Sequence, residues 1–189
     1  MNTAARSGKT QIERQHPNLS RRIRLLKFDT SDGIAVSIRP ARLGDAPTLQ
    51  KNCLPGNTQR EVEDFLKKDV DAMTKGDKFR LVADVEGEVV GNLEIAFNRH
   101  PLWSHTAEIN TVVVSSQFRR RNIATKLVEA VFKIAQDRRL EILKICVEGK
   151  NTSALGLYAK TGFKEYGRLE RGIIRKGEYD NLILLKKNL

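Results

Sequence analysis

The chain has only two cysteines, Cys53 and Cys146, and their separation fits neither a zinc site nor a redox pair. No apolar run approaches the ~20 residues needed to span a membrane. The N-terminus lacks the apolar segment of a secretory signal. These absences lead us to expect a reducing, cytoplasmic setting, with no metal and no membrane partner. Glycine-rich phosphate signatures are also missing. Neither Gly-x4-Gly-Lys-Ser/Thr nor Gly-x-Gly-x-x-Gly occurs, which excludes a P-loop and a dinucleotide fingerprint. Acidic residues are scarce: 23 Asp and Glu stand against 34 Lys and Arg, for a net charge of +11. The excess is uneven. Residues 1–28 hold seven basic side chains (Arg6, Lys9, Arg14, Arg21, Arg22, Arg24, Lys27) against Glu13, so six of the eleven net charges fall there. Such an arm could meet RNA, a ribosomal surface or an acidic partner, or stay solvated. No aromatic stacking platform accompanies the charge, which counts against nucleic acid.

What is present is chemistry at one turn. Val112-Val113-Val114 is a β-branched run. It passes through Ser115-Ser116-Gln117-Phe118 into Arg119-Arg120-Arg121 and then into the apolar-periodic segment from Ile123. A strand that feeds a helix N-terminus offers unpaired first-turn N–H groups and the positive end of the helix dipole, a site suited to phosphate. Three arginines add charge. A second segment follows the apolar strand pattern Glu141–Val147. Asn151 is a good N-cap for a short helix that runs to Lys160, and Gly162 a good stop.

Arg119-x-x-Asn122-x-Ala124 resembles the pyrophosphate-binding turn of the GNAT superfamily of N-acetyltransferases, Arg/Gln-x-x-Gly-x-Gly/Ala. It departs from that pattern at Asn122, where the family prefers glycine. Asn is among the few other residues that enter positive φ readily. Asn151, Ala154, Tyr158, Gly162 and Phe163 match the family's second cofactor segment in order and spacing. Val36–Ala41 with Asp45-Ala46 resembles the opening strand and turn. Gly167–Leu185 resembles the C-terminal hairpin of the branch that acetylates amino acids, polyamines and protein N-termini. The resemblance covers about residues 34–189 and leaves 1–33 as a basic arm.

The periodicity predicts strands at 36–39, 80–85, 88–96, 106–114, 141–147, 163–170 and 182–186, and helices at 61–73, 122–136 and 151–160. The expected fold class is α/β (α+β), a central mixed sheet flanked by helices, which is also the acyl-CoA N-acyltransferase fold that the resemblance implies. The resemblance further implies acetyl-CoA as co-substrate. Val112, Val113 and Val114 would meet its pantetheine arm, and Arg119, Arg120, Arg121, Asn122, Ile123, Ala124 and Thr125 its pyrophosphate. Asn151, Ala154 and Tyr158 belong to the second segment.

Tyr158 is the candidate general acid, able to give a proton to a departing sulfur. Glu108 is the candidate base; burial beside a cleft would raise its pKa. His105 is a rival. Asp180 and Glu178 would either anchor a cationic amine or build the hairpin. The acceptor groove is expected from Cys53–Asn57, the Asn98–Ser104 loop and the Arg168–Tyr179 hairpin, with Trp103 as a stacking wall or a buried anchor. The loop composition does not favour a polycation.

Three functions follow: acetyl transfer to a small primary amine such as an amino acid, transfer to a protein N-terminus with ribosome contact through the arm, and a non-catalytic acyl-CoA-binding or RNA-associated module. A homodimer stays open.

Overall fold

The computed structural model describes residues 26–189, and the basic arm before Leu26 lies outside them. Eight strands form one sheet in the order β1-β2-β3-β4-β5-β6-β8-β7. They are β1 (Leu26–Asp29), β2 (Ala35–Pro40), β3 (Lys78–Val85), β4 (Glu88–Phe97), β5 (Thr106–Val114), β6 (Ile142–Glu148), β7 (Lys164–Arg175) and β8 (Glu178–Asn188). The helices are α1 (Ala46–Cys53), α2 (Gln59–Thr74), α3 (Ile123–Asp137) and α4 (Thr152–Lys160). Only β5 and β6 are parallel; every other neighbour is antiparallel. The expected mixed sheet flanked by helices is the fold observed.

Alternation decides which side chains face which layer. Leu81, Leu93 and Ile109 face α3 and pack with its Leu127, Val131 and Ile134. Val82 and Val89 point the other way, onto Leu49 of α1 and Val62 and Leu66 of α2. Helix α2 begins with a capping box in which Thr58 and Glu61 exchange hydrogen bonds with each other's backbone N–H. The β3–β4 hairpin turns at Glu86-Gly87, both at positive φ (51° and 91°), as its sequence predicts.

Two boundaries differ from the sequence reading. Leu26–Asp29 pairs with Ala35–Ile38, so the expected division at residues 33 and 34 cuts a hairpin. Leu26 and Phe28 pack against the main core, and four residues are too short a run to show a period. Helix α1 falls where the sequence shows only an opening turn; Pro47 near its start sets the helical φ.

Strand β5 carries the decisive irregularity. Its partners on β4 step from Asn110↔Glu94 to Val113↔Asn92, so three residues of β5 span two of β4. The extra residue is a β-bulge at Thr111, with φ of 54°. The bulge shifts the phase of the strand. Ala107 and Ile109 contact the α3-side core before it, and Val112 and Val114 contact that core after it, while Val113 packs towards α1 and α2. On its other edge, β5 pairs with β6 only at Thr106–Glu108 and Ile142–Lys144, and the strands then part.

A β-branched residue at positive φ is strained by about 1–3 kcal/mol. Thr111→Gly is therefore expected to hold or raise the melting temperature. Val112→Gly, which removes a packed side chain, should lower stability by about 1–3 kcal/mol. Thermal and urea denaturation measure both, and a clear drop for Thr111→Gly would refute the strain.

Candidate active site

Where β5 and β6 diverge, residues 109–114 and 145–148 keep one backbone edge unpaired towards each other. Val112, Val113 and Val114 occupy the β5 lip of this gap, half-buried. The strand ends in a short 3-10 turn, Ser116–Phe118, anchored by Ser115 N–H donating to the Val90 carbonyl at 2.8 Å.

The chain then bends through two left-handed residues, Arg120 (φ 64°) and Asn122 (φ 63°), into α3. Asn122 thus holds the conformation for which the family uses glycine, as expected of Asn. Successive left- and right-handed residues turn backbone N–H groups into one concavity. Among the described residues, no backbone acceptor satisfies the N–H groups of Arg120 through Thr125; the first helical bond in this stretch is Lys126 N–H to the Asn122 carbonyl, 3.0 Å. This cradle sits at the positive end of a 15-residue helix. It fits a pyrophosphate by donor count and by sign of charge.

The three arginines are not equivalent. Arg119 and Arg120 are exposed, with Arg119 Nε 3.4 Å from the Val114 carbonyl. Arg121 is tied down. Its Nε donates to Asp32 Oδ2 at 2.7 Å, its guanidinium also bonds the Gln117 carbonyl, and it lies 5.4 Å from the Phe118 ring centre. Asp32 stands in the β1–β2 turn, 89 residues away in the chain. Hydrogen bonds from Thr30 and Arg121 hold the Asp32 carboxyl below its ordinary range.

The second segment folds as read. Asn151 caps α4, its Oδ1 accepting from Ala154 N–H at 3.1 Å, and Gly162 leaves the helix at φ 87°. Asn151 is exposed with its side-chain oxygen spent on that cap, and half-buried Ala154 packs against the core. Tyr158 is 2% exposed and meets Phe163 edge-on at 5.5 Å between ring centres. Its hydroxyl makes no hydrogen bond among the described residues. Burial pushes the phenol well above its usual pKa, so it stays protonated at any working pH.

Glu108 departs from expectation. It is exposed rather than buried, on the sheet face away from α3, because neither α1 nor α2 extends over β5 at that level. It shares that uncovered face with Cys146 of β6, whose thiol is pushed up by burial and by the Glu108 charge. His105 commits its carbonyl to Glu141 N–H (2.8 Å) at the entrance of β5. Asp180 accepts from Lys150 N–H at 2.9 Å and Glu178 pairs with Lys150 Nζ at 3.1 Å, so both fasten the C-terminal hairpin to the β6–α4 loop. Trp103 is 57% exposed beside His100, not a buried anchor.

A cavity of about 420 Å³ opens beside the bulge. Thr111, Leu54 and Asn57 line it together with Phe65, Lys68 and Asp69 of α2, Lys78 and Arg80 of β3, and Glu94 of β4. It shares the Cys53–Asn57 segment with the groove expected from the sequence. The 98–104 loop and the 168–179 hairpin do not line it. Its charged wall escaped the sequence reading, although a signal existed. Asp69 falls on the apolar stripe of α2 with Val62, Leu66 and Met73, and Arg80 and Glu94 stand between apolar neighbours in β3 and β4.

A family description, the acetyltransferase (GNAT) family, matches residues 47–163, well over half of the chain. The chain belongs to the GNAT acetyltransferase family. It is 31% identical over 101 residues to the L-amino acid N-acetyltransferase AaaT of Escherichia coli K12, covering 53% of this chain and 62% of that protein. It is 34% identical over 92 residues to an N-alpha-acetyltransferase of Sulfurisphaera tokodaii, covering 44% and 55%. The chain therefore spans little more than half the length of these curated relatives. Among solved structures, a ribosomal-protein-alanine N-acetyltransferase from Brucella melitensis superposes with a TM-score of 0.70 at 26% identity, over 80% of this chain and 99% of that one. The coenzyme A complex of RimL, a ribosomal L7/L12 alpha-N-protein acetyltransferase, shares the fold alone. Its TM-score is 0.72 at 15% identity, over 82% and 94%.

The two cysteines should differ in reactivity. Burial raises the Cys53 thiol to about 11, so almost no thiolate exists at pH 8, and the side chain is 5% exposed. Iodoacetamide at pH 8 should label exposed Cys146 at least roughly tenfold faster than Cys53. Mass spectrometry of the native protein reads this; equal rates would contradict the burial.

Proposed function

We propose that the chain is an acetyl-CoA-dependent N-acetyltransferase that moves the acetyl group to a small primary amine such as an amino acid. The parting of β5 and β6 beside a helix N-terminus with unspent N–H groups is the observation that carries this reading. The N–H groups of Arg120–Thr125, with Arg119 and Arg120, would bind the pyrophosphate. Arg121, fixed by Asp32, would hold the turn in shape more than reach out to phosphate. The open edges at 109–114 and 145–148 would take the pantetheine, and backbone donors freed at the Thr111 bulge would meet the thioester carbonyl.

Transfer forms an N–C bond as the thioester C–S bond breaks. Tyr158 donates its hydroxyl proton to the leaving sulfur. The proton lost by the amine leaves through Glu108, directly or by water, and solvent returns one to Tyr158. Exposure suits Glu108 to passing protons to water.

Acceptance of a protein N-terminus is the second reading. The likeness to the Brucella ribosomal-protein-alanine N-acetyltransferase and the six excess charges before residue 29 favour it. Deletion of residues 1–25 separates the two, because it should spare a small amine and weaken a ribosomal substrate.

Calorimetric titration of acetyl-CoA tests the leading reading. Micromolar binding, about −8 kcal/mol, is expected for the parent, and roughly tenfold weaker binding for Arg119→Ala. Tyr158→Phe should keep acetyl-CoA affinity within a few-fold while kcat for free CoA release falls by about 10²-fold or more. Full turnover in that variant would remove Tyr158 from the chemistry.

A further inference from the structure

The cavity beside Thr111 contains an ion cluster that is satisfied on one side only. Arg80 is nearly enclosed. Its Nε donates to Asp69 Oδ2 at 2.5 Å, Nη1 to Asn92 Oδ1 at 2.7 Å and Nη2 to Glu94 Oε2 at 2.6 Å, with Phe65 5.1 Å from the guanidinium carbon. Lys78 Nζ closes the ring, bonding Asp69 Oδ1 at 2.9 Å and Glu94 Oε2 at 3.1 Å. Burial works against the Lys78 ammonium, but Asp69 and Glu94 offset it and hold its pKa above the usual lysine value. Both oxygens of Asp69 are spent. Glu94 uses Oε2 alone, and its Oε1 accepts nothing among the described residues. On the same wall Lys68 is exposed and makes no ion pair among them.

One unspent carboxylate oxygen and one unspent ammonium therefore share a cavity of about 420 Å³ that opens at the bulge. Leu54 and Phe65 supply an apolar wall. Glu94 stands across from Asn110, next to Thr111, so the negative end of the cavity lies nearer the acetyl-transfer gap than Lys68 on α2.

Resting on the function proposed above, we propose that this cavity is the acceptor site and selects a zwitterionic α-amino acid. Glu94 Oε1 receives the α-ammonium beside the bulge, and loss of one proton from it to water leaves the neutral amine that attacks. Lys68 and the third N–H of Lys78 hold the α-carboxylate, and Leu54 and Phe65 meet the side chain. Glu94 Oε1 and Lys68 line one cavity without a protein partner among the described residues, and a ligand that pairs with both would complete a cluster that is otherwise half-satisfied. A polyamine is disfavoured by the three cations already lining the wall.

Free CoA release from the full chain, with L-leucine or L-leucinamide as acceptor, tests this. The two share a side chain and differ at the carboxylate, and because the amide is the less basic amine, kcat/KM is expressed per concentration of neutral amine. The parent should favour leucine by roughly tenfold in kcat/KM, the size of one charge-assisted bond. Lys68→Met should bring the ratio near one, chiefly through KM for leucine. Lys68→Glu should invert it, and Lys68→Arg should restore most of it. Lys68 is exposed on a helix surface, so these variants should keep the parent's melting temperature. A ratio unmoved by Lys68→Met and Lys68→Glu, or a parent that prefers leucinamide, overturns the assignment. A parent that does not bind acetyl-CoA in calorimetry fails the function itself, which is a separate result.

Discussion

The parting of one parallel strand pair organises the site. Strands β5 and β6 share three residue pairs and then diverge, and almost everything chemical lies along that opening. Hydrogen bonds that a flat sheet would close are left for a ligand. The bulge at Thr111 makes this workable. It lets β5 stay paired to β4 on one edge while its backbone turns on the other, and it shifts the strand by one residue so that Val112 and Val114 still reach the core. The cost is a β-branched residue in a conformation it disfavours, the kind of local strain that persists where function requires it.

The surroundings hold that opening in place from both ends. At the N-terminus of α3, Asp32 from the β1–β2 turn clamps Arg121, so the first hairpin braces a turn about 90 residues later. The short strand Leu26–Asp29 thus belongs to the working domain and not to the arm. At the other end, α4 buries Tyr158 against Phe163, and Phe163 approaches Phe132 of α3 at 6.3 Å between ring centres. Burial keeps the Tyr158 phenol protonated, the state a proton donor needs. Glu108, left uncovered, has the solvent access that a proton exit needs.

Parts of the site that lie within one local run were legible early. Asn151 to Phe163 is one capped helix and its stop, so spacing alone predicted the helix that carries Tyr158. The turn from Arg119 into α3 was legible for the same reason, down to the left-handed Asn122. The charged cluster of the cavity was not, although Asp69 on the apolar stripe of α2 was a signal: Asp69, Lys78, Arg80 and Glu94 come from three elements, and no local run shows that they meet. Glu178 and Asp180, open in the sequence between anchoring an amine and building the hairpin, are both spent on Lys150 and fasten the hairpin.

By itself the sequence determined most of the element order and the turn into α3, since these depend on period, caps and spacing over a dozen residues or so, and the resemblance of two short motifs pointed to the family. Only the tertiary structure decided where β5 parts from β6, that Thr111 bulges, which arginine is clamped, and that Glu108 is open to water. Those outcomes depend on register between strands far apart in the chain and on how far each helix reaches over the sheet. No local pattern encodes either quantity, because a one-residue shift in pairing exchanges the two faces of a strand without changing a single residue.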